Sequence, residues 1–466
     1  MSPDYDHTSP TGILRYAREL EGKTVGKVLS NYQPDLAKNE APPYGSSVGL
    51  YKGKGGFGQF LEEIYFKKKN DSLSQPDFPE AGLELKTAPL KKTKKRVVKA
   101  KERVVLGIIN YEKIIEERFE ISHFLDKNTS ILLVFYFHDA VKSYYDLEIP
   151  LVDIWECLKE DGKQIQADWE LIVGKVKTGL AHEISEGDTY FLGACTKGAT
   201  KLKSQVKQPC SDIVAQARAF CFKVSYVNHI YNVLAERQHK RKKQTEYLHL
   251  LDTKPLTLEQ QIQSKFTPFL GKPVDRICKE IGLSYDPSDK GFYARVARTI
   301  LGIKKKNQKI YEFDAAGIQI KTIRIEPNGK SKEEMSFPAM DYCEMIDQEW
   351  EDSDLYQILT SKFFFVIYKH ESKNSPYRLE RIRIWNMPEY DLEIAHEGWE
   401  DTKQKIKMGD YDNFVRIRDK SIIHVRPHGT DSFKDLTPTP QGTMYKKLSF
   451  WLNKEYIYEK VLKNHS

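Results

Sequence analysis

Residues 75–87 read QPDFPEAGLELKT, and the interpretation of the whole chain starts from this stretch. Asp77 precedes Glu84 by seven residues, and Lys86 follows Glu84 by two. Since alternate side chains of a β-strand point to the same face, a strand here would project Glu84 and Lys86 together. Two carboxylates and an ammonium group at this spacing can hold a hard cation and activate a water beside it. A lone E-x-K is common, however, and is equally typical of a solvated edge strand with a surface ion pair.

The neighbouring sequence strengthens the metal-site interpretation. Before the stretch, the glycines of residues 54–58 suit a tight entry into a helix that carries Glu62. A glycine-rich helix start can bind phosphate, but no G-x-x-x-x-G-K-[ST] is present, so no nucleotide cofactor is expected. After the stretch, residues 89–103 form a basic run. Beside a candidate metal site, such a run is suited to neutralising phosphates, although a basic run is often only a solvated surface.

Length and composition restrict the number of domains and the class of protein. A chain of 466 residues is long for one core and favours two domains. The net charge is +7, with 40% hydrophobic and 30% charged residues, as in a globular protein. No apolar window has the length of a membrane span, and the N-terminus lacks a signal-peptide pattern. The six cysteines show no C-x-x-C pair. A cytoplasmic protein with reduced thiols and no membrane partner is therefore expected.

The second half of the chain repeats the first. AGIQIKT at 316–322 matches AGLELKT at 81–87, and KGFYARVARTI at 290–300 matches KGGFGQFLEEI at 54–64. Two further segments of the second half match the first half: residues 361–368 match 130–137, and residues 447–450 match 223–226. The order is preserved, which a duplicated domain explains better than chance does.

Strand-like and helix-like segments mixed along the chain predict an α/β (α+β) fold. We expect two tandem modules, each with a mixed central sheet flanked by helices. The predicted boundaries are 1–235 for the first module, 236–255 for a basic linker and 256–466 for the second module.

The two copies differ where chemistry would take place. In the second copy Gln319 replaces Glu84 and Arg298 replaces Glu62, while Lys321 repeats Lys86. Glu312 falls opposite Asp77. We therefore hypothesise that the second copy keeps the fold and binds a partner surface without cleaving.

With the repeat in view, the motifs resemble the MutH-type endonucleases of the PD-(D/E)-x-K class. The resemblance is carried by Pro76-Asp77, by Glu84-x-Lys86 in the strand 82–87, and by the preceding helix 58–62. The family includes a mismatch-repair nicking enzyme and larger type II restriction enzymes that cut at GATC. The larger enzymes are similar to this chain in having two such modules, the second without a full catalytic set.

The resemblance implies a role for each residue of the first site. Asp77 and Glu84 would bind Mg²⁺, and Lys86 would orient or activate the attacking water. Glu62 would lie behind the metal or contact its water shell. Either Lys101 or Arg103 would touch the scissile phosphate.

The resemblance also implies where DNA is read. The family's base-reading loop corresponds to 196–199 in the first module and to 425–429 in the second. Where the family has a tyrosine linked to adenine methylation, the first module has Cys221 and the second has Tyr445. The nominated DNA-contacting residues of these regions are Lys197, Lys201, Arg426, His428 and Tyr445. Lysines in such a loop are equally explained as phosphate contacts or as solvated side chains.

Three functions remain open at this point: a restriction endonuclease making double-strand cuts at GATC, a MutH-like nicking enzyme, and a DNA-binding regulator that does not cleave. The intact set at Asp77, Glu84 and Lys86 disfavours the regulator, and the fused second module favours the restriction endonuclease over the nicking enzyme. Double-stranded DNA is the expected partner and Mg²⁺ the expected cofactor. Because one chain offers one active site, self-association on DNA or successive nicking would be needed for a double-strand cut.

Overall fold

The computed structural model describes residues 5–32, 55–68, 75–93, 96–139, 141–198, 204–238, 246–251, 257–305, 307–331, 334–372, 375–419, 421–427 and 435–463. The chain divides into two compact units. The first consists of Met1–Ile184 and Thr189–Lys243, and the second of Ser185–Asp188 and Gln244–Ser466. Regular structure enters the predicted linker 236–255 from both ends, because a helix continues to Arg237 and a strand begins at Glu246.

The first unit contains two main sheets with helices beside them. Its strands are β1 (Lys23–Thr24), β2 (Glu84–Lys92), β3 (Val98–Ala100), β4 (Val104–Ile108), β5 (Ser130–Phe137), β6 (Glu148–Ile149), β7 (Leu151–Glu156), β8 (Leu192–Thr196), β9 (Gln205–Gln208), β10 (Ser211–Gln216) and β11 (Arg218–Phe222). Its helices are α1 (Pro10–Ala17), α2 (Val25–Tyr32), α3 (Gly56–Phe60), α4 (Tyr111–Ile114), α5 (His123–Asn128), α6 (Cys157–Lys177) and α7 (Val224–Arg237). A π-helical turn, Leu61–Tyr65, continues α3.

The central sheet of this unit is mixed, in the order β3-β2-β5-β7, with β2 parallel to β5 and the outer pairs antiparallel. Residues 131–136 of β5 are all buried, as expected for a parallel strand covered on both faces. On one face Phe57 and Phe60 of α3 pack with Tyr136 in an apolar cluster. Burying one such aromatic ring contributes about 1.5–3 kcal/mol. Strands β4, β11 and β8 form a second sheet in that order, and it is antiparallel.

The second unit has the same plan. Its strands are β12 (Glu246–Leu248), β13 (Gln308–Ile310), β14 (Gln319–Ile325), β15 (Met335–Ala339), β16 (Phe363–Lys369), β17 (Arg378–Trp385), β18 (Ile423–Pro427), β19 (Leu436–Pro438), β20 (Met444–Lys446) and β21 (Leu448–Leu452). Its helices are α8 (Leu258–Phe266), α9 (Val274–Ile281), α10 (Phe292–Ile300), α11 (Tyr311–Ala316), α12 (Tyr342–Met345), α13 (Asp354–Leu359), α14 (Glu389–Met408) and α15 (Lys454–Ile457), which a π-helical turn, Tyr458–Leu462, extends.

The sheet orders confirm the repeat. β14-β16-β17 reproduces β2-β5-β7, including the parallel first pair and the antiparallel second pair. β15-β21-β18 reproduces β4-β11-β8, and the hairpin β19–β20 corresponds to β9–β10. The prediction of tandem modules, each with a mixed sheet and helices, is therefore confirmed, with the addition of a separate antiparallel sheet in each unit.

One of the sequence matches joined the wrong elements. Residues 447–450 lead into strand β21, whose counterpart by sheet order is β11, whereas 223–226 lead into helix α7. For the same reason Tyr445, on β20, is not the counterpart of Cys221, which lies on β11. Four residues with alternating apolar character suit a strand or the first turn of a buried helix, so the match could not distinguish them.

Two predictions from composition can be compared directly with the structure. All six cysteines are free thiols. Among the described helices, none combines the length and the apolar character needed to cross a membrane.

Candidate active site

A tight loop brings Asp77 back beside Glu84. Phe78 and Leu83 exchange backbone hydrogen bonds of 2.9 and 3.1 Å, closing a turn around residues 79–82. Gly82 ends this turn at φ +59°, a left-handed conformation that costs other residues free energy. The turn therefore places the side chain of Asp77 next to the first residue of β2.

Asp77 and Glu84 are joined directly. The backbone N–H of Asp77 donates to Glu84 Oε2 at 3.1 Å, and the backbone N–H of Leu85 donates to Asp77 Oδ2 at 2.9 Å. These two bonds fix both carboxyl groups against the start of the strand. The structure thus brings together two of the residues named from the sequence, and their shared role in metal binding stays a prediction.

Glu84 is buried, with 1% of its surface exposed. Burial raises the pKa of its carboxyl group, and the charge of Asp77 raises it further, while Lys86 opposes the shift. Lys86 Nζ forms an ion pair with Glu84 Oε1, as expected for two residues on the same face of a strand. A buried carboxylate of this kind needs cations close to it.

Glu62 belongs to the same electrostatic cluster. It lies on the π-helical turn after α3. Burial raises its pKa to about 7, and the charge of Asp77 adds to the shift. Asp77 thus disfavours ionisation of both Glu62 and Glu84, and such a group of carboxyls is a region where positive charge would be stabilised.

Two further lysines reach this cluster, and the sequence reasoning missed both. Lys127 Nζ lies 3.5 Å from Glu84 Oε1. Its helix, α5, begins at Ser122, whose hydroxyl caps the helix by accepting from the N–H of Leu125. Lys68 Nζ donates to the carbonyl oxygen of Asp77 and lies 3.9 Å from Asp77 Oδ1. Neither lysine stands in a motif, and only the fold brings them to the site.

The carboxylates fit an open divalent-cation site. In the part of the chain described, no three His, Cys, Asp or Glu side chains are already arranged around one metal position. Mg²⁺ does not require such a cage, because it keeps several waters and is bound through one or two carboxylates together with substrate phosphates. Asp77 and Glu84, held side by side at the start of β2, are two carboxylates of this kind.

The basic residues expected at the scissile phosphate lie elsewhere on the sheet. The N–H of Lys101 donates to the carbonyl of Pro89, which places it five residues along β2 from Glu84, roughly 16 Å away at the rise of a strand. Lys101 also forms an ion pair with Glu102 at 2.6 Å. Arg103 immediately precedes β4. At Glu84 itself the neighbouring cations are Lys86 and Lys127.

The predicted DNA-reading residues are distributed over both units. Lys197 directly follows β8, and Lys201 and His428 lie outside the described residues. Arg426, at the end of β18, forms an ion pair with Glu334 at 2.5 Å and stacks 3.7 Å over the ring of Trp451. Tyr445 donates its hydroxyl to Asp412 at 2.9 Å. The structure therefore gives Arg426 and Tyr445 intramolecular partners.

Comparisons with known proteins agree with the repeat. The family described as "DNA mismatch repair enzyme MutH" matches the chain twice, at residues 66–168 and 301–397. A protein named "Type II restriction enzyme Sau3AI" from Staphylococcus aureus is 34% identical over 451 residues, which cover 86% of this chain and 91% of the relative.

Two shorter relatives match over 44% of this chain. They are the DNA mismatch repair proteins MutH of Vibrio campbellii and Vibrio parahaemolyticus, each 21% identical over 215 residues that cover 94% of the relative. The first family match includes Asp77, Glu84 and Lys86, and the second includes Gln319 and Lys321.

Proposed function

The chain belongs to the MutH-like type II restriction enzymes and is a DNA endonuclease; we propose that it uses Mg²⁺ to cut both strands of DNA at GATC sites. The observation that carries the proposal is the pair Asp77 and Glu84, joined by a 3.1 Å hydrogen bond at the start of β2 with two lysines beside Glu84. Double-stranded DNA is its substrate.

The chemistry assigns the residues of this site different tasks. A phosphodiester resists attack because its own negative oxygens repel the nucleophile, so neutralising charge is the main need. Asp77 and Glu84 would hold the Mg²⁺ ion, which polarises the phosphoryl oxygen and lowers the pKa of bound water. Lys86, fixed by its ion pair with Glu84, would position the attacking water and stabilise the developing negative charge.

Glu62 and Lys127 complete the proposed site. Glu62, whose pKa burial raises to about 7, can hydrogen-bond to water around the metal and exchange a proton with it near neutral pH. Lys127, 3.5 Å from Glu84 Oε1, takes the part that sequence reasoning gave to Lys101 or Arg103, namely the cation at the scissile phosphate.

The second unit is proposed to bind DNA and to act as an effector of the first. It keeps the strand frame, with Gln319 at the place of Glu84, but an amide is a poor ligand for Mg²⁺. A unit that keeps the fold without the carboxylates is suited to binding rather than hydrolysis. Equal cleavage rates on DNA with one and with two GATC sites would contradict the effector role.

One incubation tests the proposed activity. Unmethylated plasmid DNA is treated with the purified chain in Mg²⁺ or in EDTA, and the ends of the products are sequenced. Discrete fragments ending at GATC, formed only with Mg²⁺, are expected. Nicked circles alone would indicate a MutH-like nicking enzyme instead, and unaltered DNA would indicate a regulator that does not cleave.

A matched pair of variants links the activity to the site. Glu84→Gln removes a buried carboxylate, whereas Glu80→Gln removes an exposed one from the same loop. We expect only the first change to abolish fragment formation. Equal activity of the two variants would rule out the assignment of Glu84.

A further inference from the structure

The second unit presents its own residues at the place where the first unit has its active site. At the start of the parallel pair β14 and β16, Gln319 lies opposite Phe363, as Glu84 lies opposite Ile131. Two residues on, Lys321 lies opposite Phe365, as Lys86 lies opposite Leu133. Gln319 and Lys321 therefore hold the strand positions of Glu84 and Lys86.

Helix α10 carries the residue that the sequence repeat aligns with Glu62. It packs on β14 as α3 packs on β2. In the first unit the charges of Asp77, Lys86 and Glu84 act on the carboxyl group of Glu62, which lies on the turn that continues α3. The residue that replaces Glu62 in the repeat is Arg298, in the last turn of α10. We refer to Arg298, Gln319 and Lys321 as the second-unit site.

The carboxylate that the sequence aligns with Asp77 has a different task. Glu312, on α11, is buried, and its Oε1 accepts from the N–H groups of Leu250 and Leu251 at 2.8 and 2.9 Å. Its charge does not compensate Lys321, because burial alone lowers the pKa of that lysine. The second unit thus has an arginine, an amide and a lysine at the positions where the first unit has Glu62, Glu84 and Lys86.

Neither cation has a counterion among the residues that the structure describes. Among the described residues, Lys321 Nζ makes no hydrogen bond or ion pair, and neither does the guanidinium group of Arg298, although both side chains are partly buried. In contrast, Lys86 is paired with Glu84. Removing an ammonium group from water without a partner costs free energy. A site of this kind is stabilised when an anion enters it.

We propose that the second-unit site binds a phosphate group, and that its ligand is a backbone phosphate of duplex DNA. Ammonium and guanidinium groups are the usual partners of phosphate oxygens, and the Gln319 amide adds a neutral donor. The site that holds a cation in the first unit has therefore become an anion site in the second. This inference rests on the proposal that the second unit binds DNA.

Lysine labelling of the full-length chain tests the site locally. The chain is acylated in EDTA, alone, with a short GATC duplex, or with inorganic phosphate, and each lysine is quantified by mass spectrometry. Fluorescence anisotropy of the labelled duplex confirms that DNA is bound in the same sample. We expect the duplex to protect Lys321 several-fold, while exposed Lys279 of the same unit serves as the internal control.

Each outcome decides a separate point. Protection by inorganic phosphate alone would support an anion site but assign it to free phosphate rather than to DNA. Bound duplex without protection of Lys321 would overturn the inference and leave the proposed nuclease activity standing. Failure of the chain to bind the duplex would overturn both.

Salt dependence gives a second readout. Each phosphate contact contributes about 0.9 to the slope of log affinity against log salt concentration. Lys321→Met should reduce that slope by one contact, and Lys279→Met should leave it unchanged. Equal slopes for the two variants, with neither unfolding at a lower temperature than the native chain, would overturn the inference.

Discussion

Asp77 and Glu84 hold each other in place: the N–H of Asp77 donates to Glu84 Oε2, and Asp77 Oδ2 accepts from the residue that follows Glu84. Two negative groups are thereby fixed side by side in a partly buried position. The free enzyme tolerates this because Lys86, Lys127 and Lys68 surround them. The pair is held in position before any metal or DNA arrives, which is the preorganisation that electrostatic catalysis requires.

Lys127 should matter for cleavage although no motif contains it. Lys127→Met removes the ammonium group 3.5 Å from Glu84 Oε1. We expect the cleavage rate to fall by roughly a hundredfold, the scale for losing one preorganised charge-stabilising group. The control is Lys113→Met, which removes an exposed lysine of the same unit. Single-turnover rates on a GATC duplex would refute the role if both variants cleaved alike.

Lys321→Met should stabilise the second unit, and the gain should depend on pH. Burial lowers the pKa of Lys321 in the folded state below its unfolded value of about 10.4. The folded state therefore binds fewer protons between those two values, and native stability rises with pH across that interval. The gain in stability of Lys321→Met is therefore largest below the pKa of Lys321 in the folded state. It disappears above the pKa of Lys321 in the unfolded state.

Thermal unfolding in the absence of DNA measures this difference. The midpoint of the variant should exceed that of the native chain at pH 7, and the two should converge as the pH approaches 10.4. A gain that stayed constant with pH would mean that methionine packing, and not the burial of charge, explains it.

Glu312→Ala should weaken the attachment of the segment that contains Leu250 and Leu251, which precedes α8. Glu312 Oε1 holds the N–H groups of Leu250 and Leu251, and its loss leaves both amides without their acceptor. The cost should be about 1–3 kcal/mol. Hydrogen exchange at these two amides should accelerate, whereas Glu280→Ala, which breaks an exposed ion pair with Lys272, should not affect them. Unchanged exchange in Glu312→Ala would contradict the contact.

The sequence predicted those parts of the site that lie within one strand. Glu84 and Lys86 are two residues apart, so strand geometry alone brings them together, and the repeat placed Gln319 and Lys321 in the same register. Lys127 and Lys68 could not be predicted from the sequence, because their positions depend on how α5 and the chain after α3 pack against the sheet. The expectation for Lys101 or Arg103 came from the family resemblance, which implies a basic residue in the following strand, whereas the antiparallel pairing of β3 places Lys101 away from Glu84.

The second unit shows the same limit. Short apolar matches identified β14 and β16 because those strands are paired and buried in both copies. The match of 447–450 with 223–226 failed because a strand and a buried helix share apolar residues at short range. The engagement of Arg426 with Glu334 and Trp451 could not be foreseen either, since it joins strands that are distant in the sequence.

The most direct test of the account exchanges one carboxylate in each unit. Plasmid cleavage in Mg²⁺ is measured for Glu84→Gln, which gives the first unit the residue of the second, and for Gln319→Glu, which does the reverse. The account predicts that Glu84→Gln loses cleavage by on the order of a hundredfold or more, as expected on losing a metal ligand. Gln319→Glu should not restore activity in the Glu84→Gln background. The second unit would still lack a second metal-binding carboxylate, because Glu312, which aligns with Asp77, accepts hydrogen bonds from Leu250 and Leu251 instead. Full cleavage by Glu84→Gln, or its rescue by Gln319→Glu, would contradict the placement of the active site in the first unit.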